Sequence, residues 1–234
     1  MKIKDAIIRV VDCETTGLEP KEHKVTEIAY VDMNYNDGII RSVSSLINPE
    51  REIPIIAMAI HHITDEMVKD APKIESIWPS MLEGDIQAMA AHNAPFDFSF
   101  LKTDKPILCS LRLARHLWPD LESHSNQYLR YYLKVNVSPE IPLHRALGDA
   151  TVTALILQKM MKIVITEKGI EDIDALIKWI DEPVLLNICR FGNKHRGQRW
   201  SEVPREYLQW MKDKVNDMDV DTKHTVDYYL NPKL

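Results

Sequence analysis

The feature that most constrains this chain is an apolar, β-branched run that ends in two acids one residue apart. Ile7, Ile8, Val10 and Val11 lead straight into Asp12-Cys13-Glu14-Thr15-Thr16-Gly17. The run predicts a strand, and on a strand successive side chains point to opposite faces. Asp12 and Glu14 therefore share one face, and Cys13 turns to the other. Two carboxylates held side by side repel each other unless a cation sits between them. Hard oxygen ligands at that spacing suit Mg²⁺ or Mn²⁺. Alone, such a pair is equally well an acidic turn at a strand end, so its meaning rests on the acids further along.

Residues 24–33 and 38–47 predict two more strands joined through Asn34-Tyr35-Asn36-Asp37-Gly38, an antiparallel meander with the first. Residues 53–60 predict a short helix, and Thr64 an N-cap for 65–69. Residues 73–82 place Ile74, Ile77, Trp78, Met81 and Leu82 at a helical period. Residues 86–91 predict a buried strand that breaks at His92-Asn93-Ala94-Pro95-Phe96-Asp97 into another helix. Residues 107–109 predict a further strand, 111–117 and 126–133 predict helices, and 146–164 carry the longest helical pattern. Strands first, then helices interleaved with short strands, predict an α/β fold: a mixed five-stranded sheet flanked by helices. Residues 166–182 read as an acidic helical connector. Pro183 then opens a small α+β module over 183–234, with a hairpin through 185–188, Phe191-Gly192 and Trp200, and short helices at 207–211 and 222–230. The expected division is thus 1–165, 166–182 and 183–234.

Composition excludes several classes. At 45% hydrophobic and 27% charged, the 234 residues suit a globular chain. No apolar run reaches the length of a membrane-spanning helix, so no membrane partner is expected. Met1-Lys2-Ile3-Lys4-Asp5 lacks the apolar core of a signal peptide. Cys13, Cys109 and Cys189 are odd in number, far apart and outside any CxxC pattern. They argue for reduced thiols in a cytoplasmic setting and against a zinc ribbon. A net charge of −6 argues at first sight against nucleic acid. Metal-binding acids account for part of that balance, because the metals supply the missing positive charge.

Four acids stand out in order: Asp12, Glu14, Asp97 and Asp149. His144 lies five residues before Asp149, with Gly148 between them. The runs Asp12-Cys13-Glu14-Thr15-Thr16-Gly17-Leu18, His92-Asn93-Ala94-Pro95-Phe96-Asp97 and His144-Arg145-Ala146-Leu147-Gly148-Asp149 resemble the three signatures of the DEDDh 3′–5′ exonucleases, a DnaQ-like family with a ribonuclease H-like fold. The resemblance spans roughly the first two thirds of the chain. Residues 57–61 and 113–119 also resemble stretches of exonuclease X-like members. The resemblance implies that Asp12, Glu14, Asp97 and Asp149 hold two divalent cations, Mg²⁺ or Mn²⁺, which clamp the attacking and leaving oxygens of the phosphodiester. It implies that His144 takes the proton from the attacking water, a task suited to an imidazole at neutral pH. It further implies that Thr15, Thr16, Gly17 and Leu18 touch the terminal nucleotide and that His61 lines its pocket; Phe96 itself reads either as a stacking face for a base or, the stronger account, as a core ring. The segment between Pro142 and His144 reads as a loop that closes over substrate.

Over 183–212 there are six Lys/Arg and two Glu. Arg190, Lys194, His195, Arg196 and Arg199 lie beside Phe191 and Trp200, a mixture that suits single-stranded nucleic acid. Arg190, Lys194, Arg196 and Trp200 are therefore expected substrate contacts. The competing account is a solvated hairpin whose aromatics form a miniature core. Phe191-Gly192, Arg196-Gly197, Val203-Pro204 and Tyr207-Leu208 with Trp210 resemble the tail module of exonuclease X-like proteins.

Together these readings imply a metal-dependent 3′–5′ exonuclease that releases nucleoside 5′-monophosphates from a free 3′ end. Single-stranded DNA is favoured and RNA stays open. The rival class is a binding or docking module on an idle nuclease scaffold, against which the retention of five mutually costly groups weighs. A second copy of the chain, or a polymerase or repair protein, is a compatible partner. DNA repair is one of several pathways left open.

Overall fold

The structure is a computed structural model that describes residues 1–138 and 144–231. The proposed closing loop at Pro142 therefore lies outside the described residues. Five strands form one sheet: β1 (Ile7–Thr15), β2 (Val25–Asn34), β3 (Gly38–Leu46), β4 (Ala88–Ala91) and β5 (Ile107–Cys109), in the order β3-β2-β1-β4-β5. The β1, β2 and β3 ladders are antiparallel, whereas β4 and β5 add in parallel. The turn between β2 and β3 forms because Asn34 Oδ1 accepts the Asp37 N–H at 2.7 Å and Gly38 takes φ 81°.

Between β3 and β4 come α1 (Ile55–His61), α2 (Asp65–Val68) and α3 (Ile74–Met81). After β4 follow α4 (Ala94–Phe100), α5 (Ser110–Leu117), α6 (Asn126–Tyr132) and α7 (Ala146–Ile163). The alternation of β1 divides its side chains. Val11 and Cys13 join Ile28, Tyr30, Met81, Met89 and Leu101 in one apolar cluster. Arg9 shares that parity and is 1% exposed; it is held by a bidentate pair with Asp32 at 2.7 and 2.8 Å and lies over the Tyr30 ring. The opposite parity carries Asp12 and Glu14, and this is the face on which α7 packs across β1, β2 and β3. Small residues on α7, including Ala146, Gly148, Ala150 and Ala154, are buried and allow close approach to the sheet.

Two local expectations are corrected. Thr64 occupies the N-cap position of α2, but its hydroxyl makes no cap bond; the Asp65 carboxylate instead accepts the Ile53 N–H at 2.9 Å. The acidic stretch 166–182 is not one helix. A π-helical turn, Val164–Lys168, continues α7 and stops at Gly169 with φ 67°, and α8 (Ile173–Asp181) starts afresh. The hairpin expected after Pro183 forms as a short pairing: the antiparallel bridge of Ile188 with Arg199 is flanked by the Trp200 N–H on the Asn187 carbonyl at 2.9 Å and the Cys189 N–H on the Gln198 carbonyl at 2.8 Å. Just before it, the Leu186 N–H donates to Thr225 Oγ1 at 2.9 Å. The chain ends in α9 (Arg205–Lys214) and α10 (Val220–Leu230).

Packing separates two compact units, 1–111 with 125–177 and 112–124 with 178–234. The second is organised around Asp221, which is fully buried and takes Arg112 at 3.2 Å, Arg115 at 2.8 Å and the Val184 N–H at 3.0 Å. Its apolar core comprises Leu186, Cys189, Trp200, Val203, Leu208, Met211, Val226 and Leu230. No helix among the described residues is long and apolar enough to cross a membrane.

Candidate active site

The site lies where the C-terminal end of β1 meets the first turn of α7. Because Asp12 and Glu14 emerge on the face that α7 covers, they meet Asp149. Carboxylate oxygens of the three lie within 4.8 Å of one another. Burial pushes the Asp12 carboxyl well above its usual range, and Asp97, Glu14 and Asp149 push it further. Burial, then Asp149 and Glu27, raises Glu14 to about 7. Asp149 is raised by burial and eased downward by His144. Three acids that each resist ionisation, gathered on one spot, form a hard-oxygen donor set that fits a divalent cation.

Asp97 stands apart from that trio. It sits in the first turn of α4, which starts at Asn93 with φ 70°, and its Oδ1 accepts the Cys13 backbone N–H at 3.1 Å. Burial raises it to about 7, partly offset by the hydrogen bonds from Cys13. Its charge still acts on Asp12 more strongly than either Glu14 or Asp149 does. His144 is exposed and adopts φ 57°, a left-handed conformation rare for a side chain of its size.

The turn after β1 is built to hold its shape. Thr15 Oγ1 donates to the Gly17 carbonyl at 2.7 Å, and Thr16 exchanges backbone and hydroxyl bonds with Lys24. The His23 ring bonds the Thr16 hydroxyl at 3.1 Å and presses against Gly17 so closely that a Cβ there would lie 2.4 Å from the ring. Leu18 at the tip is 76% exposed. Thr15, Thr16, Gly17, Leu18, His61 and Phe96 all line one cavity of about 360 Å³, which also takes in Glu14. His61 is 1% exposed; its Nδ1 accepts the Ile63 N–H at 3.0 Å, and burial lowers its pKa, so the neutral ring carries its proton on Nε2.

The four expected contacts of the second unit part company. Trp200 is 1% exposed and belongs to the core, so it offers no stacking face: the small module needs that ring inside. Arg190 and Arg196 line a cavity shared with Asp120 and Glu122, while Lys194 lines a separate one.

Sequence reasoning missed three groups at the site. Glu27, 4% exposed, pairs across the sheet with Glu14 and binds Arg145 through two bonds of 2.9 and 2.6 Å. It also accepts the Ala146 N–H at 3.0 Å, which caps α7. An acid in the apolar run of β2, one of two there with Asp32, was the available signal. His23 could be seen only once the turn had closed on Gly17. Ile56 and Ile60 on α1 complete the cavity wall, and both are more than half exposed.

Comparison with known proteins follows the same lines. Residues 10–157 match the RNase_T family model, described as exonuclease. Over 231 residues, 96% of this chain and 99% of the relative, the sequence is 35% identical to Exodeoxyribonuclease 10 of Escherichia coli K12. It is 34% identical over 179 residues to DNA polymerase III PolC-type of Bacillus cereus; this covers 71% of this chain but only 12% of that protein. Exonuclease X in complex with 5′ overhanging duplex DNA superposes with a TM-score of 0.61 at 39% identity, covering 66% of this chain and 91% of that one. The nuclease domain of 3′hExo, a DEDDh family member, shares the fold at a TM-score of 0.57 and 16% identity, over 67% of this chain and 92% of its own. The chain therefore belongs to the RNase_T exonuclease family and is a 3′–5′ exonuclease built on a ribonuclease H-like sheet.

Proposed function

We propose that the enzyme shortens DNA from a free, single-stranded 3′ end and releases nucleoside 5′-monophosphates. The observation that carries this reading is the convergence of Asp12, Glu14 and Asp149 beside a cavity sized for one nucleotide. Two divalent cations held by these acids, with Asp97 behind them, would supply the positive charge that activates water and steadies the departing 3′-oxygen. The chain's own residues do the rest. The exposed His144 takes the proton of the attacking water as general base. The rigid turn of Thr15, Thr16 and Gly17 seats the terminal nucleotide, and Leu18 packs against its base. His61, neutral with a proton on Nε2, donates toward the sugar or phosphate within the cavity. Phe96, half-buried on its wall, packs against the same nucleotide. The full-length likeness to an exodeoxyribonuclease supports DNA as substrate, and the likeness to part of a polymerase supports work beside one.

The test is a time course on 5′-labelled single-stranded DNA and RNA of matched sequence, each with Mg²⁺, Mn²⁺ or EDTA. Metal-dependent laddering of DNA from its 3′ end supports the reading. Laddering of RNA alone would transfer the assignment to an exoribonuclease.

A further inference from the structure

The second unit carries a cavity of about 750 Å³ outside the site described above. Its floor is a ring pair on α9. Tyr207 and Trp210 are three residues apart and so share one helical face. Their centroids lie 5.2 Å apart, with planes inclined by 29°. The loop from Phe191 to His195 forms the wall. His195 meets the Tyr207 ring edge-on at 4.5 Å, and the Lys194 ammonium stands 5.7 Å from the centroid of the same ring. Gly192 takes φ 57°, and a Cβ there would lie 3.2 Å from the Tyr207 hydroxyl, so glycine is what lets this loop close on the ring.

A miniature core takes in Trp200, with Phe191, Tyr207 and Tyr229 packed against it, but not Trp210. Leu186, Cys189, Trp200, Val203, Leu208, Met211, Val226 and Leu230 complete a core in which each residue is no more than 6% exposed. Trp210 remains 47% exposed at the cavity rim. An exposed indole stacked on a tyrosine, with an ammonium beside it, is the arrangement that holds an unpaired base and its phosphate. Charge agrees: six Lys/Arg against two Glu over 183–212, in a chain of net charge −6. Glu206 is the one acid on the lining. We propose that this cavity is a second contact for single-stranded nucleic acid, with a base on Trp210 and a backbone phosphate on Lys194. The proposal rests on the reading of the enzyme as one that takes a single strand.

The test uses the full chain in EDTA, with a labelled oligothymidylate of about 20 nucleotides followed by anisotropy. Trp210→Ala should weaken binding roughly tenfold, on the scale of one lost base stack, while Trp210→Phe recovers most of it. Lys194→Ala should lower the slope of log affinity against log salt by about one. Equal affinity in wild type and Trp210→Ala overturns the proposal and leaves the rings to an apolar segment of a protein partner. A wild type that shortens the oligonucleotide with metal but does not bind it in EDTA overturns the proposal and spares the exonuclease reading. A wild type that neither binds nor shortens it overturns both.

Discussion

Glu27 and Arg145 hold the two halves of the active site together. Glu27 is on β2, directly across from Glu14, and Arg145 precedes α7, between His144 and the helix that carries Asp149. One carboxylate thus binds the guanidinium and caps the helix, so the sheet acids and the helix acid share a fixed frame. Arg145 also eases Glu14 downward, against the repulsion of its neighbours.

Glu27→Gln should therefore cost both stability and rate. Losing one partner of a buried pair costs about 3–5 kcal/mol. Because Arg145 is 28% exposed, the loss here should be about 2–3 kcal/mol. Thermal unfolding reads that cost. The rate effect should fall on kcat more than on KM, since the terminal nucleotide cavity does not include Glu27. An unchanged kcat would show that the frame is structural only.

The acids make metal-free stability depend on pH with a definite sign. Glu14 is raised to about 7 from its ordinary 4.5, so between these values the folded protein holds a proton that the unfolded chain has released. The folded form binds more protons in that window, and stability therefore falls as pH rises through it. Asp97, also raised to about 7, acts in the same direction. Melts in EDTA should show a falling Tm across the window, less so in Glu14→Gln, and the Tm gain from Mg²⁺ or Mn²⁺ should grow over the same range. A metal-free wild type whose Tm rises relative to Glu14→Gln would contradict the sign.

Asp12→Asn should raise the metal-free Tm at neutral pH while abolishing both cleavage and most of the metal-induced gain. The reason is that the buried charge of Asp12 is opposed by burial and by four neighbouring acids. A less stable metal-free variant would mean that the carboxylate satisfies something other than a cation.

Gly17 and His23 should behave as a coupled pair. A methyl at Gly17 meets the His23 ring at 2.4 Å, and overpacking of this kind costs about 1–3 kcal/mol. Gly17→Ala should destabilise, and adding His23→Ala should recover much of the loss. Strict additivity in a double-mutant cycle would deny the contact its importance.

Much of the fold was legible because it is written in local pattern. The alternation of β1 placed Asp12 and Glu14 on one face before any partner was known, and α7 announced itself by its length. What stayed hidden depends on residues far apart in the chain. The pairing of Glu27 with Arg145 spans 118 positions, and Asp221 gathers Arg112 and Arg115 from more than a hundred residues away. Trp200 and Trp210 illustrate the same limit. The basic neighbourhood marks Trp200 as the stacking ring and leaves Trp210 to a miniature core, and packing shows the reverse, with Trp200 in the core and Trp210 at a rim.

The central claim is that Asp12, Glu14 and Asp149 form one cation-dependent centre served by His144. Single-turnover cleavage of 5′-labelled single-stranded DNA in Mg²⁺ tests it most directly, with wild type, Asp149→Asn and His144→Ala compared side by side. The account predicts laddering from the 3′ end in wild type and none in Asp149→Asn. In His144→Ala it predicts the same ladder slowed by about 10²–10⁴-fold, the share of a lost general base. Cleavage by Asp149→Asn at the wild-type rate would contradict it.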